Sequence, residues 1–350
     1  MRSRPPTIKD VAERAGVSKS LVSRVVRGGD AVSPARRAAV LAAAEELGYR
    51  PNVVARSLVQ RRTYHVGVIV SDLHNLFFAE VIDGVDEVAS EHGYRTMLVT
   101  GHRAGEVEAR ALDTLLELRV DGVILLAPRL PAAAIARAGR STPIAIVAAP
   151  LRVPGVDVVV NDDARGAEVA VEHLAGLGHR RIGLVDGGQG AGAVERRAGY
   201  ESAVRRLGLD GEASAAPGDF TEEGGYRGAR RLLERDPPPT AIFASNDLAA
   251  VGALNAIEEA GYAVPRDVSL VGYDNTALAS LRHVSLTTIH QPRRQMGQMA
   301  MRALLRRIDR PEARARRVVL EPRLVARETT GPPPSSPPGT PLARGVPGGG

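Results

Sequence analysis

The 350-residue sequence predicts an α/β protein preceded by a small all-helical head. Three observations carry that expectation. Residues 7–28 hold two short helical patterns joined by a tight, glycine-containing turn. From Tyr64 onward, short runs of Val, Ile and Leu alternate with helix-length amphipathic stretches, the pattern of buried parallel sheet. The charge balance changes at the same place. Residues 1–62 contain 13 Lys and Arg against 5 Asp and Glu, and the remainder 33 against 35, so a head of +8 precedes a body of −2.

In the head, Thr7 can cap the first helix, with Asp10 three residues on as a capping-box partner. Val11, Ala12 and Ala15 supply its apolar face. Gly16 allows the turn, and Ser18 is a second N-cap. Leu21, Val22, Val25 and Val26 then repeat at helical spacing, with Lys19, Ser20, Ser23 and Arg24 between them. Two helices across so short a turn form the helix-turn-helix pattern, whose second helix enters the DNA major groove. An ordinary αα-hairpin has the same spacing. Ser33-Pro34 opens a third helix as N-cap and N1 proline. Val40, Leu41, Ala44 and Leu47 are its expected core stripe, and Gly48 ends it. Residues 51–58 form a fourth helical stretch capped by Asn52, too short to hold together alone in water, or a plain linker. The basic head suits a nucleic-acid binder. A membrane-surface patch would need large apolar residues on an amphipathic helix, and the head has no Trp or Phe.

Thr7-Ile8-Lys9-Asp10-Val11-Ala12, Ala15-Gly16-Val17-Ser18 and Val22-Ser23-Arg24-Val25 together resemble the DNA-binding head of the lactose-repressor (LacI/GalR) family. Tyr49-Arg50-Pro51-Asn52 and Ala55-Arg56-Ser57-Leu58 resemble that family's hinge, and the likeness continues to about Thr330. It implies a DNA-binding domain at 1–50, a hinge at 51–63, an effector-binding and dimerisation body at 64–330, and a tail at 331–350. It also implies that Lys19, Ser20 and Arg24 read base edges and that Arg27 meets a phosphate. Leu58, with Ala55 beside it, would wedge into the minor groove when two hinges meet on DNA. Two residues depart from the family pattern, Leu21 for the usual Thr and Arg27 for the usual Asn. The tail is 13 Gly and Pro out of 20 and cannot bury enough apolar surface to fold. It lacks leucine heptads, so a homodimer is expected rather than a tetramer.

Seven strand-like runs follow the head: His65-Val70, Gly122-Leu126, Ile144-Val147, Val156-Val160, Arg181-Val185, Ala241-Ala244 and Ser269-Tyr273. Helical patterns lie near 78–91, 106–118, 164–177, 196–207, 223–235 and 247–260. The resemblance divides these into two α/β lobes, a body like that of periplasmic binding proteins. Two parallel sheets would flank a ligand cleft, with chain crossings near 161–163, 289–292 and 321–324. The helix after Pro292 would return to the first lobe.

In open α/β sheets ligands sit at the carboxyl ends of strands. The loops there carry Asp72 and Asn75 with Phe77 and Phe78, Asp186 leading to Arg196, Asp219-Phe220, Ser245-Asn246-Asp247 and Tyr273-Asp274-Asn275. Three of the four Phe in the chain lie in these loops. Aromatic faces with Asp, Asn and Arg suit a polar ring such as a sugar. The resemblance implies effector contacts for Arg196, in RRAGY, and Asp274, in GYDN, and matches Phe220 and Asn246 to ligand positions. Each residue also has a local reading. Asp72, Asn246 and Asp274 could cap the next helix, Arg196 could sit in a surface salt bridge, and the phenylalanines could be core.

Gly188-Gln189-Gly190-Ala191-Gly192-Ala193 fits G-x-G-x-x-A after a strand, the fingerprint of a dinucleotide site. The acidic residue expected about 20 positions on is missing, since Asp210 and Glu212 lie in a glycine-flanked turn. There is no G-x-S-x-G elbow, Walker A loop, cysteine or H-x-x-x-H pair. A secreted solute-binding protein shares the two-lobed body. The start of the chain lacks an apolar signal region, and no run of about 18 apolar residues could span a bilayer. The expected protein is a cytoplasmic transcriptional repressor that binds double-stranded operator DNA and answers to a small-molecule effector. No enzyme activity, cofactor or metal is expected.

Overall fold

The computed structural model describes residues 4, 6–26, 32–49 and 62–335. The chain divides into two units, one ending at Tyr64 and one beginning at His65.

The first unit is built on α1 (Ile8–Arg14), α2 (Lys19–Val26) and α3 (Pro34–Glu46). The capping box forms: Thr7 donates its backbone N–H and its hydroxyl to Asp10 Oδ2, at 2.6 and 2.7 Å. Gly16 turns the chain at φ +63°, and Ser18 Oγ accepts the Leu21 N–H at 3.3 Å. Val11, Val22, Val25 and Val40 close a small core with Ala12 and Ala43. The α3 stripe differs from expectation. Its inward face runs through Val40, Ala43, Ala44 and Leu47, and Leu41 is 52% exposed, because a residue one step along a helix lies about 100° around it. Ser33 makes no side-chain cap bond, so Pro34 opens α3 without one. The residues Arg27, Ala55 and Leu58, and the hinge helix expected at 51–58, lie outside the described residues.

The second unit runs β1 (His65–Val70), α4 (Phe77–Glu91), β2 (Arg95–Thr100), α5 (Gly105–Glu117), β3 (Gly122–Leu126), α6 (Ala132–Ala138), β4 (Ile144–Val147) and β5 (Asp157–Asn161). It continues α7 (Asp163–Gly176), β6 (Ile182–Val185), α8 (Ala193–Arg206), β7 (Ser214–Ala216), α9 (Glu222–Leu233), β8 (Ala241–Ala244), α10 (Asp247–Glu259), β9 (Ser269–Asp274) and β10 (Thr287–His290). It closes with α11 (Arg293–Asp309), β11 (Arg317–Leu320) and β12 (Arg323–Val325). The strands form two six-stranded sheets, ordered β11-β5-β4-β3-β1-β2 and β12-β10-β9-β8-β6-β7. Valine, isoleucine and leucine fill the central strands on both faces, as sheets sandwiched between helices require. The described residues contain no helix long and apolar enough to cross a membrane.

The α/β expectation holds, with two sheets in two lobes. After β5 the chain leaves the first sheet and α7 packs into the core of the second. After β10 it returns, and α11 lies on α4 and against β3, β4 and β5. After β11 it enters the second sheet again as β12. The sheets are parallel as expected but for that strand, which pairs antiparallel with β10. The reason is directional. The other strands of that sheet run toward the cleft, whereas β12 enters the lobe from the cleft and runs away from it. Strands β2, β10, β11 and β12 and helix α6 carried no clear signal. They are short or, like β2, edge strands with exposed apolar residues such as Leu98.

Two buried polar ties matter for the chain's end. His179 bonds Thr240 Oγ1 at 2.9 Å and Ser269 Oγ at 3.0 Å, and its Nε2 also reaches the Gly331 carbonyl at 2.9 Å. Gly331 N–H donates to Ser269 Oγ. The first residue of the expected unfolded tail is therefore anchored on the second sheet.

Helices α4 and α11 approach so closely that a Cβ on Gly84 would overlap the Arg294 carbonyl, and one on Gly297 the Val81 carbonyl. Backbone cannot yield as a side-chain tip can. Gly297→Val is therefore expected to destabilise the body by about 3 kcal/mol, read as a lower midpoint in urea unfolding. An unchanged midpoint would show that the helices can separate freely.

Candidate functional site

The carboxyl ends of β1–β4 in one lobe and of β6, β8 and β9 in the other converge on a cleft of about 620 Å³, partly open to solvent. Phe77, Phe78, Arg196, Phe220, Asn246 and Asp274 all line it. So do residues that the sequence reading assigned to no role, among them Arg103, Arg129, Asp163 and Gln291. Asp163 and Gln291 had been read only as crossing points. Arg103 follows β2, which was not foreseen. Arg129 follows a foreseen strand, and the carboxyl-end rule applied there would have found it.

Backbone strain is concentrated here. Ten non-glycine described residues have positive φ, and five of them, Arg103, Ala127, Ala148, Phe220 and Asp274, line the cleft. Such conformations cost free energy and collect where a site requires a particular aim of the side chain.

Arg196, on the first turns of α8, is the centre of the second-lobe wall. It is 6% exposed. Its Nε donates to Asp163 Oδ1 at 3.0 Å, one terminal nitrogen donates to the Ser245 carbonyl, and the other lies 3.8 Å from Asp274 Oδ1. The guanidinium carbon sits 3.8 Å from the Tyr273 ring centre and 5.2 Å from that of Phe220. Burial opposes its charge, but Asp163 and Asp274 outweigh burial and hold it protonated. The surface salt-bridge reading of Arg196 is thereby excluded. Arg196 and Asp274 approach one another directly, at 3.8 Å. Their direct approach leaves no room for a ring between them, so a ligand must meet both from the open side.

Asp274 is 2% exposed, with φ 106° at the end of β9. Its Oδ1 accepts from Gln291 Nε2 at 2.6 Å, and its carbonyl accepts from Arg293. It caps no helix, because Thr276 precedes the 3₁₀ turn that follows. Asn246 does cap: its Oδ1 accepts the Ala249 N–H at 2.8 Å, and its Nδ2 donates to the Phe220 carbonyl at 3.0 Å. That second bond fixes the strained Phe220 backbone. Phe77 and Phe78 meet edge to face at 5.2 Å on the opposite wall.

The glycine loop finds its explanation in Phe220. A Cβ on Gly187 or Gly190 would overlap the Phe220 ring. The glycines make room for an aromatic side chain, not for a pyrophosphate. Asp186 anchors the loop by accepting from the Gly188 N–H and from Arg197. Among the described residues no group of three or more His, Asp or Glu is placed to hold a metal ion.

In the first unit, Lys19, Ser20 and Arg24 are exposed on α2, whose opposite face buries Val22 and Val25. Ser20 and Arg24, four residues apart, are neighbours on the helix surface, and Lys19 is exposed at its first residue.

A helix-turn-helix head and a two-lobed body with an interlobe cleft define the class: a DNA-binding module combined with a periplasmic-binding-protein-like fold. Residues 7–52 match the bacterial regulatory proteins of the lacI family, and residues 171–330 match the periplasmic binding protein-like domain. The HTH-type transcriptional regulator CelR of Thermobifida fusca is 39% identical, over 94% of this chain and 99% of that protein. A solved CelR–cellobiose complex is 37% identical, with TM-score 0.69, covering 93% of this chain and 99% of that one. The lac repressor dimer bound to operator and the anti-inducer ONPF is 32% identical, with TM-score 0.82, over 94% of this chain and 100% of that one. The chain belongs to the LacI family of transcriptional regulators.

Burial pushes the Asp274 carboxyl up to about 7, reinforced by the neighbouring Asp247 charge and opposed by Arg196. The native state thus holds a proton that the unfolded chain has released, and the stability this contributes is lost as pH rises through 7. Asp274→Asn keeps the protonated shape at every pH. Its stability relative to wild type should rise between pH 5 and pH 8, as read by urea unfolding. A difference independent of pH would mean that the carboxyl is ionised throughout.

Proposed function

We propose that the chain is a cytoplasmic, homodimeric repressor that binds operator DNA through α2 and releases or tightens on it when a sugar occupies the cleft. The observation that carries this reading is the convergence of Phe77, Phe78, Arg196, Phe220, Asn246 and Asp274 on one cleft between the lobes. Aromatic faces provide stacking for the ring, and Arg196 with the free Oδ2 of Asp274 provides paired contacts for hydroxyls. The relatives support it, since CelR was solved with cellobiose and the lac repressor dimer with operator. On the DNA side, Lys19, Ser20 and Arg24 read bases, Arg27 meets a phosphate, and Leu58 with Ala55 occupies the minor groove. Two-fold symmetry of the dimer calls for a near-palindromic operator. No catalytic step, cofactor or metal is part of this function.

Two experiments test it. Operator sequences selected from random duplexes by the full-length protein should be bound by Arg24→Ala without sequence preference. An Arg–guanine contact is worth about 1–3 kcal/mol of discrimination, while weak, salt-sensitive binding remains. Unchanged preference would remove Arg24 from base reading. In the cleft, Arg196→Ala and Asp274→Ala should each weaken sugar binding by about 2 kcal/mol or more, because the remaining partner is left buried and underpaired. Thermal unfolding of both variants without sugar establishes that they fold. Wild-type sugar affinity in both variants, measured by calorimetry, would return these residues to a purely structural role.

A further inference from the structure

The two walls of the cleft differ in charge balance. On the second lobe, Arg196 is matched by Asp163 and Asp274. On the first lobe, the loops after β1, β2 and β3 contribute Asp72, Arg103 and Arg129. Asp72 lies 3.9 Å from Arg103, and Arg103 also donates to the Asp219 carbonyl of the other lobe at 2.6 Å. Asp72 and Arg103 therefore offset one another.

Arg129 and the buried Glu108 act on one another through space, without a side-chain contact. Arg129 is half-buried in the cleft wall, and its guanidinium makes no hydrogen bond or ion pair with any described residue. Glu108 is fully buried beneath the loop. Its Oε2 is used on the backbone N–H groups of Arg129 and Leu130, at 2.6 and 3.1 Å, and not on the guanidinium. Burial pushes the Glu108 carboxyl up, and these hydrogen bonds, one from Ser71 and the Arg129 charge oppose it. A half-buried guanidinium at the cleft wall, its fork of donors unused by any described residue, has the geometry to take an anion.

We propose, on the basis of the sugar-binding reading above, that the effector carries a negatively charged group, a carboxylate or a phosphate, and that Arg129 binds it at the first-lobe wall. The sugar ring lies among Phe77, Phe78 and Phe220, and its hydroxyls meet Arg196 and Asp274. The charged group then engages the guanidinium donors that no described residue uses. It also gives the ligand a strong contact on each lobe.

The test uses the full-length protein and matched ligands: D-glucose with D-glucuronate and D-glucose 6-phosphate, D-galactose with D-galacturonate, and cellobiose with cellobionate. Calorimetry should find an acidic member binding at least about tenfold tighter than its neutral partner, as one charge-assisted contact warrants. Arg129→Met should remove that advantage, so that acidic and neutral partners bind alike, and Arg129→Lys should keep part of it. Ligand-free thermal unfolding of both variants establishes that they fold. The carboxylate and phosphate arms distinguish the two sources of charge. A neutral sugar binding as tightly as its acidic partner would overturn the anionic assignment and leave the sugar reading standing. An acidic preference that survives in Arg129→Met would overturn the role of Arg129. Absence of binding across the whole set would overturn the sugar reading, and this inference with it.

Discussion

Burying a guanidinium costs several kcal/mol unless its donors and charge are satisfied, and Arg196 meets that cost with groups drawn from four separate elements. Asp163 comes from the start of α7, the Ser245 carbonyl from the end of β8, Asp274 and the Tyr273 ring from β9, and Phe220 from the loop after β7. None of these elements could shift without leaving a charge uncompensated. The second-lobe wall is rigid for this reason, and its shape is set before any ligand arrives. The Asp274 carboxyl, raised toward neutrality by burial, is the softest member of the group.

That wall is tied to the first lobe by few bonds, each near a crossing of the chain or at the cleft mouth. Asn161 Nδ2 donates to the Tyr273 hydroxyl at 2.9 Å where β5 leads into α7. Arg293, 3% exposed at the start of α11, donates to the Asp274 and Asn275 carbonyls and to Glu80 of α4. Arg103 reaches the Asp219 carbonyl across the cleft. The ties involve Tyr273 and Asp274, two residues of the Arg196 cluster, and the backbone of Asp219, next to Phe220. A ligand that perturbs the cluster therefore perturbs the bonds that hold the lobes at their present angle. This is the physical element a two-state response needs: discrete polar contacts between stiff bodies, made or broken together.

The loop from Gly187 to Gly192 illustrates how a sequence motif takes its meaning from its neighbours. Its glycine spacing is that of a nucleotide site, yet the space left by two absent side chains is filled by the Phe220 ring. Asn246 combines two readings that had looked exclusive. It caps α10 through its oxygen and holds Phe220 through its nitrogen, and it still lines the cleft.

The sequence by itself determined what depends on local periodicity and on chain-order rules. The α1–α2 turn at Gly16, the Thr7–Asp10 box, the central strands and the carboxyl-end loops follow from residue types a few positions apart. Phe77, Phe78, Arg196, Phe220, Asn246 and Asp274 were all legible as residues of those loops. Tertiary structure alone decided which of them touch and what charge remains. Arg196 and Asp274 are 78 residues apart in the chain and lie 3.8 Å apart in the fold. The antiparallel β12 follows from the direction in which the chain re-enters a lobe, and the edge strand β2 shows one face to solvent, so neither leaves a strong periodic mark. That no described residue bonds the Arg129 guanidinium is the same kind of fact. Whether a charge is paired depends on distances between side chains from different loops, which no single stretch of sequence encodes.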